Sequence, residues 1–473
     1  MRLPLLMKAL ALGGVVLGLF IGLGMVTGVV QERQGRLSGA QFDLANTLAA
    51  EQTLVGPALH RTCTETWTTE QGEGATRRTL SESREFTLIA LPHKLVVDGR
   101  APQESRYRGI FKLNGYTLKA EVNAQWRDLS ALQPRAEHAG GTLACGAPVL
   151  MVALGDARGI RRAAVRVDGA ELAVQPGTLH KSHGRGFHAV LPVRPDDAAR
   201  AAQPLQAALA LELVGTGELA FAPLAEHNEV KLSSSWPHPS FGGRFLPTAR
   251  EIDERGFSAT WQISALATTA PTSFASGARA CGAASEENAQ AAQEGAPRGC
   301  IETFGVSFID PVNPYVLSDR ATKYGLLFIV LTFVAVALVE VMRRLRVHPV
   351  QYLLVGSALV VFFLLLVSLS EHLPFAAAYA AAAGACTLLL AYYGAHVLRG
   401  WLPGLAFGGG IAALYGALYV LLQMEQGSLV LGSVLLFIVL AAVMVVTRRI
   451  DWYALIAQIR DQDAPKKAAE TPA

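Results

Sequence analysis

Six apolar runs of roughly twenty residues stand out along the chain, at 9–30, 322–341, 350–370, 374–395, 402–422 and 428–446. A helix of about 20 such residues spans the hydrocarbon of a bilayer, so the pattern predicts six transmembrane helices. Between the first and second runs the pattern changes. EFTLIALPHKLVVDG, YRGIFKLNGYTLKAEVNAQW, GFHAVLPV, LQAALALELVGTGELAFAPL and GFSATWQISAL are short alternating or apolar runs separated by Gly, Pro, Asn or Asp. That spacing predicts strands of a sandwich or barrel, long enough in total for two units.

The predicted organisation follows from these two patterns. Residues 1–30 are an uncleaved anchor, whose glycines at 14, 18 and 22 let it pack closely on later helices. Residues 31–61 form a juxtamembrane helix with Leu37, Leu44 and Leu48 on one face, ended by Gly56-Pro57. The β-rich domain covers 62–303, and 267–300, rich in Ala, Gly and Glu, is a flexible excursion within it. RYRGIF…GYTLKAEVNAQW and ELAFAPL…GFSATWQIS read as halves of a weak duplication. Residues 304–321 are a hinge, in which Pro311 and Pro314 prevent a helix from starting earlier. The membrane bundle occupies 322–447. The tail 448–473 starts as an interfacial helix, with Trp452, Leu455, Ile456 and Ile459 on one face, and ends disordered.

Charge orients this scheme. The 473 residues carry 41 basic and 38 acidic side chains, a balance that gives no footprint for nucleic acid. Arginines gather instead in short loops, at Arg343, Arg344, Arg346, Arg399, Arg448 and Arg449, with Arg2 and Lys8 at the start. The alternate loops hold Glu371 and His372, or Glu425 and Gln426, and no Lys or Arg. The positive-inside rule then predicts both termini in the cytoplasm and the β-domain outside, in a multi-pass membrane protein. Four of the five cysteines fall in the outer segment, as disulfides require. Four allow three pairings; Cys63–Cys145 with Cys281–Cys300 is expected, since the second bridge closes the loosest loop.

Chemistry is sparse. No Gly-x-Ser-x-Gly, P-loop, H-E-x-x-H or dinucleotide fingerprint is present, and the cysteine spacing suits no compact zinc site. No catalytic residue, metal or cofactor is implied. His180, His183 and His188 in TLHKSHGRGFH read as a solvated turn rather than as ligands. The loop 233–257 is rigid and aromatic, with Trp236, His238, Phe241, Arg244 and Phe245 as candidates either for binding a ligand or for filling the gap between sheets. Around the outer ends of the spans, Asp319, Arg320, Lys323, Glu371, His372 and Glu425 form a polar rim. Arg320 and Lys323 with Glu371 and Glu425 are expected either to pair as a network or to cap separate helices. Glu340 is placed for a helical pair with Arg343 and Arg344.

Longer stretches resemble the CreD family of bacterial inner-membrane proteins: ERQGR, QTLVGPAL, RYRGIF, WPHPSFGGRFLP…REI…GFSATW, PVNPYVLSDRATKYGLLFIVLTF, HPVQYLLVGSALVVFFLLLVSLSEH, LYGALYVLLQMEQGSLVLGS and TRRIDWY. Gln426-Gly427 departs from the Asp-Tyr usual in the family, and 267–300 is peculiar to this chain. The resemblance implies a non-enzymatic role in cell-envelope integrity, under a Cre-type two-component system. It also implies links to β-lactam responses and colicin tolerance. The expected partners are membrane lipid and an envelope glycan, lipid or protein. A transporter or lipid-handling protein, or a sensory partner of a histidine kinase, are the alternatives.

Overall fold

The computed structural model describes residues 3–71, 78–108, 111–192, 198–280, 300–308, 314–343, 347–423 and 428–448. The chain divides into two compact units, one of Met1–Gln34 with Val312–Ala473 and one of Gly35–Pro311. Helix α1 (Leu3–Thr47) contributes to both. At 1.5 Å per residue it is about 67 Å long, more than twice the hydrocarbon thickness of a bilayer. The anchor and the juxtamembrane helix are thus one element. The predicted helix over 31–61 is corrected in its second half, because strand β1 starts at Gln52. Gly56-Pro57 does not end a helix. It lies in a bulge of β1 between Val55 and Ala58, joined by a cis peptide.

The strands, in chain order, begin with β1 (Gln52–Gln71), β2 (Arg78–Ala90), β3 (Lys94–Arg100), β4 (Gln103–Arg108) and β5 (Phe111–Trp126). Next come β6 (Thr142–Cys145), β7 (Val149–Leu154), β8 (Ile160–Val167), β9 (Ala170–Leu172), β10 (Val174–Pro176) and β11 (Gly186–Val190). After a short helix α2 (Ala198–Ala201) follow β12 (Leu205–Thr216), β13 (Glu218–Phe221), β14 (His227–Ser234), β15 (Ser240–Gly243), β16 (Ala249–Asp253) and β17 (Gly256–Ser264). Helix α3 (Ala270–Ala275), β18 (Arg279–Ala280), β19 (Cys300–Ile301) and β20 (Phe304–Ser307) complete the unit.

Two mixed nine-stranded sheets result. One runs β10-β11-β7-β1-β13-β20-β15, with β2 and β6 also on β1; the other runs β16-β17-β14-β3-β5-β12-β8-β9, with β4 on β5. Strand β12 shows why they pack: its side chains alternate buried and outward from Leu205 to Leu213, as a half-buried strand requires. It pairs with β5 from Leu205 opposite Trp126 to Thr216 opposite Gly115. A single apolar core takes residues from both sheets, among them Leu59, Val152 and Phe304 from the first and Val97, Leu118 and Trp261 from the second. The two units expected within the β-domain are therefore one sandwich. The expected duplication is corrected too. Its first half is the β4–β5 hairpin, but its second half is divided between sheets, β13 in one and β17 in the other.

Two boundaries also shift. Within the predicted excursion 267–300, α3 buries Ala270 and Phe274, so its first part is packed structure; 281–299 lie outside the described residues. Within the predicted hinge, β20 is a buried strand between β13 and β15, and Phe308 is 1% exposed. The periodicity of 304–308 matches strand as well as linker, and only the pairing decides.

The membrane unit continues with α4 (Pro314–Arg343), α5 (Pro349–Ser370), α6 (Phe375–Val397), α7 (Trp401–Gln423) and α8 (Ser428–Thr447). Among the described residues, α1 and α4 to α7 are long and apolar enough to cross a membrane, and α8 contains the shorter apolar stretch Gly432–Val445. The glycines pack differently from expectation. A Cβ added at Gly14 or Gly18 would meet nothing within 4 Å, whereas Gly22 lies against Val360. Contact comes from α1 leucines seated over glycines of other helices. A Cβ on Gly356 would fall 2.1 Å from Leu19, and one on Gly325 would fall 2.9 Å from Leu23. Helices α6 and α7 approach most closely, with Gly404 and Gly408 against Ala395 and Ala391. In lipid, where burial gains no hydrophobic free energy, such close backbone approach is a main source of attraction.

Candidate functional site

The histidines expected in a solvated turn form a largely buried cluster. His188 lies on β11 and His180 and His183 on the loop before it; His60, from the middle of β1, joins them. His60, His183 and His188 are buried. His60 Nε2 lies 2.9 Å from the carbonyl of Thr178, and His188 Nδ1 lies 2.6 Å from that of Gly177. Each of these nitrogens must carry the proton, because a carbonyl only accepts. His180 and His183 both stack on Phe274 of α3, with centroids at 5.5 and 4.9 Å, and His60 meets His180 edge-on at 5.6 Å. Two ring nitrogens, His60 Nδ1 and His183 Nε2, are buried without a hydrogen-bond partner. Burial lowers the pKa of all three of these rings; His180, also repelled by His183 and His60, falls to about 4. Among the described residues no three His, Cys, Asp or Glu side chains are arranged to hold a metal.

Below the cluster the chain is pinned by a disulfide between Cys63 on β1 and Cys145 on β6, which are register partners. Cys300, on β19, is also disulfide-bonded, and its expected partner Cys281 lies outside the described residues. Beyond the bridge, Glu65 is 1% exposed and accepts the backbone N–H groups of Glu137 and His138. Those bonds hold its pKa below the ordinary carboxylate value.

The aromatic loop is spent on packing. Trp236 is buried and donates to the carbonyl of His238 at 2.6 Å. Phe241 meets Phe257 and Trp261 edge-on, and Phe245 meets Phe304. Of the five candidates only His238 and Arg244 are exposed, and Arg244 pairs with Glu302 at 3.5 Å. Trp236, Phe241 and Phe245 pack into the core between the sheets, and His238 and Arg244 do not.

At the rim the described part of the expected network pairs differently. Lys323 pairs with Asp319 of its own helix at 2.7 Å, and neither Lys323 nor Arg320 pairs with Glu371. Glu371 takes its charge partner from α1, Arg33 at 3.4 Å, and accepts from the Tyr315 hydroxyl at 3.4 Å. His372 is exposed, and Glu425 lies outside the described residues. Glu340 reaches the next helix, accepting from Tyr352 Oη at 2.9 Å and from the backbone N–H of Val347. Inside the bundle, Tyr379 donates to the Tyr415 carbonyl, Tyr415 to Cys386 Sγ, and Cys386 to the Ala358 carbonyl.

Sequence reasoning missed His60, Phe274, Arg33 and Tyr315. None carries a local signal: His60 is one alternating position in a long strand, and Phe274 lies in a segment of loop-like composition.

Residues 4–453 match the family described as Inner membrane protein CreD. The chain belongs to the CreD family. It is 36% identical over 459 residues to the Inner membrane protein CreD of Escherichia coli (strain K12), covering 96% of this chain and 95% of that protein. Like that relative, this CreD-family chain is an inner-membrane protein, and its several apolar helices fit a multi-pass arrangement. Among solved structures, an M1 zinc metallopeptidase from Deinococcus radiodurans is 13% identical over 36% of this chain and 38% of that one. Its TM-score of 0.19 is too low to carry an argument about fold or function.

Proposed function

We propose that this CreD-family protein maintains the cell envelope without catalysing a reaction. In this reading six helices hold the β-sandwich in the periplasm, where it binds an envelope component, and both termini lie in the cytoplasm. The carrying observation is the family match, which runs through both units rather than through the bundle alone. A selective role confined to the membrane would not constrain a sandwich of this size. The topology is supported by α8, a 20-residue apolar helix that as a sixth crossing would return the chain to its starting side. The Cys63–Cys145 bridge fits an oxidising compartment. Arginines on one set of short loops and acids on the other set the direction.

Single cysteines test the topology in intact cells, in a chain with Cys63, Cys145, Cys281, Cys300 and Cys386 replaced. Gly35→Cys and Gln426→Cys should react with a membrane-impermeant maleimide, and Leu345→Cys should not. Labelling at 345 overturns the orientation. For the role itself, a strain lacking the protein should take up a normally excluded dye. Rescue should need the full chain, not the membrane unit alone. Unchanged dye entry on deletion, or full rescue by the membrane unit, would count against a working periplasmic domain.

A further inference from the structure

We propose that the histidine cluster is an acid-operated latch: on acidification the loop 177–186 and α3 part from β1, uncovering the apolar patch beneath α3. The inference goes beyond the envelope reading and stands on geometry within one unit. The histidines fasten the loop at two places. At its start, His60 and His188 donate to the consecutive carbonyls of Thr178 and Gly177. Further on, His180 and His183 are stacked on Phe274. Thr178 Oγ1 also donates to the His183 carbonyl, closing the loop on itself. Leu179 within it is 62% exposed and has φ of 57°, a left-handed backbone that leucine adopts only where its surroundings impose it. Opening relieves that conformation.

The cluster has places for protons and little to welcome them. His60 Nδ1 and His183 Nε2 are buried and unpartnered, so a proton there creates a charge with no acceptor beside it. The strand positions opposite His60 and His188 supply none, and the carboxylate at the start of α3, Glu302, is already engaged by Thr268 Oγ1, the Thr269 N–H and Arg244. Strand β7 sets Val149 opposite His60 and Met151 opposite His188; β2 sets Ile89 opposite His60, and β10 sets Gln175 opposite His188. Helix α3, APTSFA, has no titratable residue. Of the loop's own charges, Lys181 pairs with Glu85 of β2 at 3.3 Å, and Arg185 adds positive charge. Beneath α3, Val55, Met151, Ala222, Leu224 and Ile301 form the apolar cluster that Phe274 covers.

The direction follows from linkage. The closed rings hold pKa values below 6.5, the value they regain when open, so closure is fully favoured above about 6.5 and weakens as pH falls toward 4. His180 alone, moving between 6.5 and about 4, shifts the equilibrium at most about 30-fold between pH 7.5 and 5. Allowing for water at its partly exposed ring, about 10-fold is expected.

Hydrogen exchange of the full-length protein in detergent, corrected for intrinsic rates, tests this. Between pH 7.5 and 5, peptides covering 177–190 and 268–278 should lose protection about 10-fold or more, while β5 and β12 keep theirs. His180→Phe combined with His183→Phe keeps stacking rings on Phe274 but accepts no proton there, and should shrink the drop to the part that His60 carries. Should that variant lose protection in β5 and β12 at pH 7.5, His60→Gln serves instead. Its amide still donates to Thr178, and the acid response should shrink. No drop in the wild type, an equal drop in β5 and β12, or an unaltered drop in the variant that folds would each overturn the latch.

Discussion

At the start of β1, Gln52 is fully buried and its carboxamide bridges three backbone groups. It donates to the carbonyls of Asp156 and Val214, both at 3.0 Å, and accepts the Asp156 N–H at 3.2 Å. Gln52→Leu leaves those groups without partners, and a loss of about 2–3 kcal/mol is expected from chemical denaturation of the β-domain. Asp156 beside it is held at about 2, chiefly by the Arg158 guanidinium and then by the Ala50 N–H. With its folded pKa below the unfolded 3.8, Asp156 stabilises fully above about 4 and loses that contribution as pH falls toward 2. The thermal midpoint should therefore drop over that window, and Asp156→Asn should flatten the drop. At the rim, Arg33→Gln and Glu371→Gln remove one shared contact. Their effects on bundle stability should be non-additive by about 0.5–1 kcal/mol. Arg320→Gln with Glu371→Gln should simply add, since those two side chains are not paired.

Among elements, the helix contacts make a sharp contrast between glycines that look alike in sequence. Gly404 faces the backbone of Ala395, where a Cβ would sit 2.5 Å from Cα, and Gly408 would meet the Ala391 methyl at 2.5 Å. Gly404→Leu should separate α6 from α7 and destabilise the bundle by about 1–3 kcal/mol or more, the usual range for overpacking. Gly14→Leu on α1, where nothing lies within 4 Å, should change resistance to unfolding in SDS by little. Equal effects at the two positions would contradict this packing. Strand β1 organises the sandwich. Its 20 residues pair in turn with β13, β7, β6 and β2, parallel to the first and antiparallel to the rest. A strand of ordinary length meets two neighbours; this one is long enough to meet four.

For the whole molecule, covalent closure matters because the sandwich has high sequence separation. The Cys63–Cys145 bridge links residues 82 apart. In the loop-entropy account such closure restricts the unfolded chain, and removing a native disulfide typically loses about 2–5 kcal/mol. Replacing both cysteines with alanine should lower the β-domain's denaturation midpoint accordingly and leave the membrane helices in place. Circular dichroism should show the helical signal surviving the strand transition.

The sequence by itself determined the division into a β-rich domain and an apolar helical unit. Hydrophobic period and run length are local properties, and they survive without any knowledge of neighbours. Stretches such as RATKYGLLF and SLSEH were enough to place the chain in its family. Tertiary structure decided everything that depends on which distant residues meet. The pairing of β20 between β13 and β15 turned a hinge into core. The bulge at Gly56-Pro57 turned a helix end into part of a strand. Arg33, rather than Arg320, reached Glu371 because two helices set that distance and no spacing along one segment does. The histidine cluster shows the limit most plainly. Three of its rings lie within nine residues and looked like a wet turn. The fourth is more than a hundred residues away, and only the fold brings it against His180 and lays Phe274 over His180 and His183.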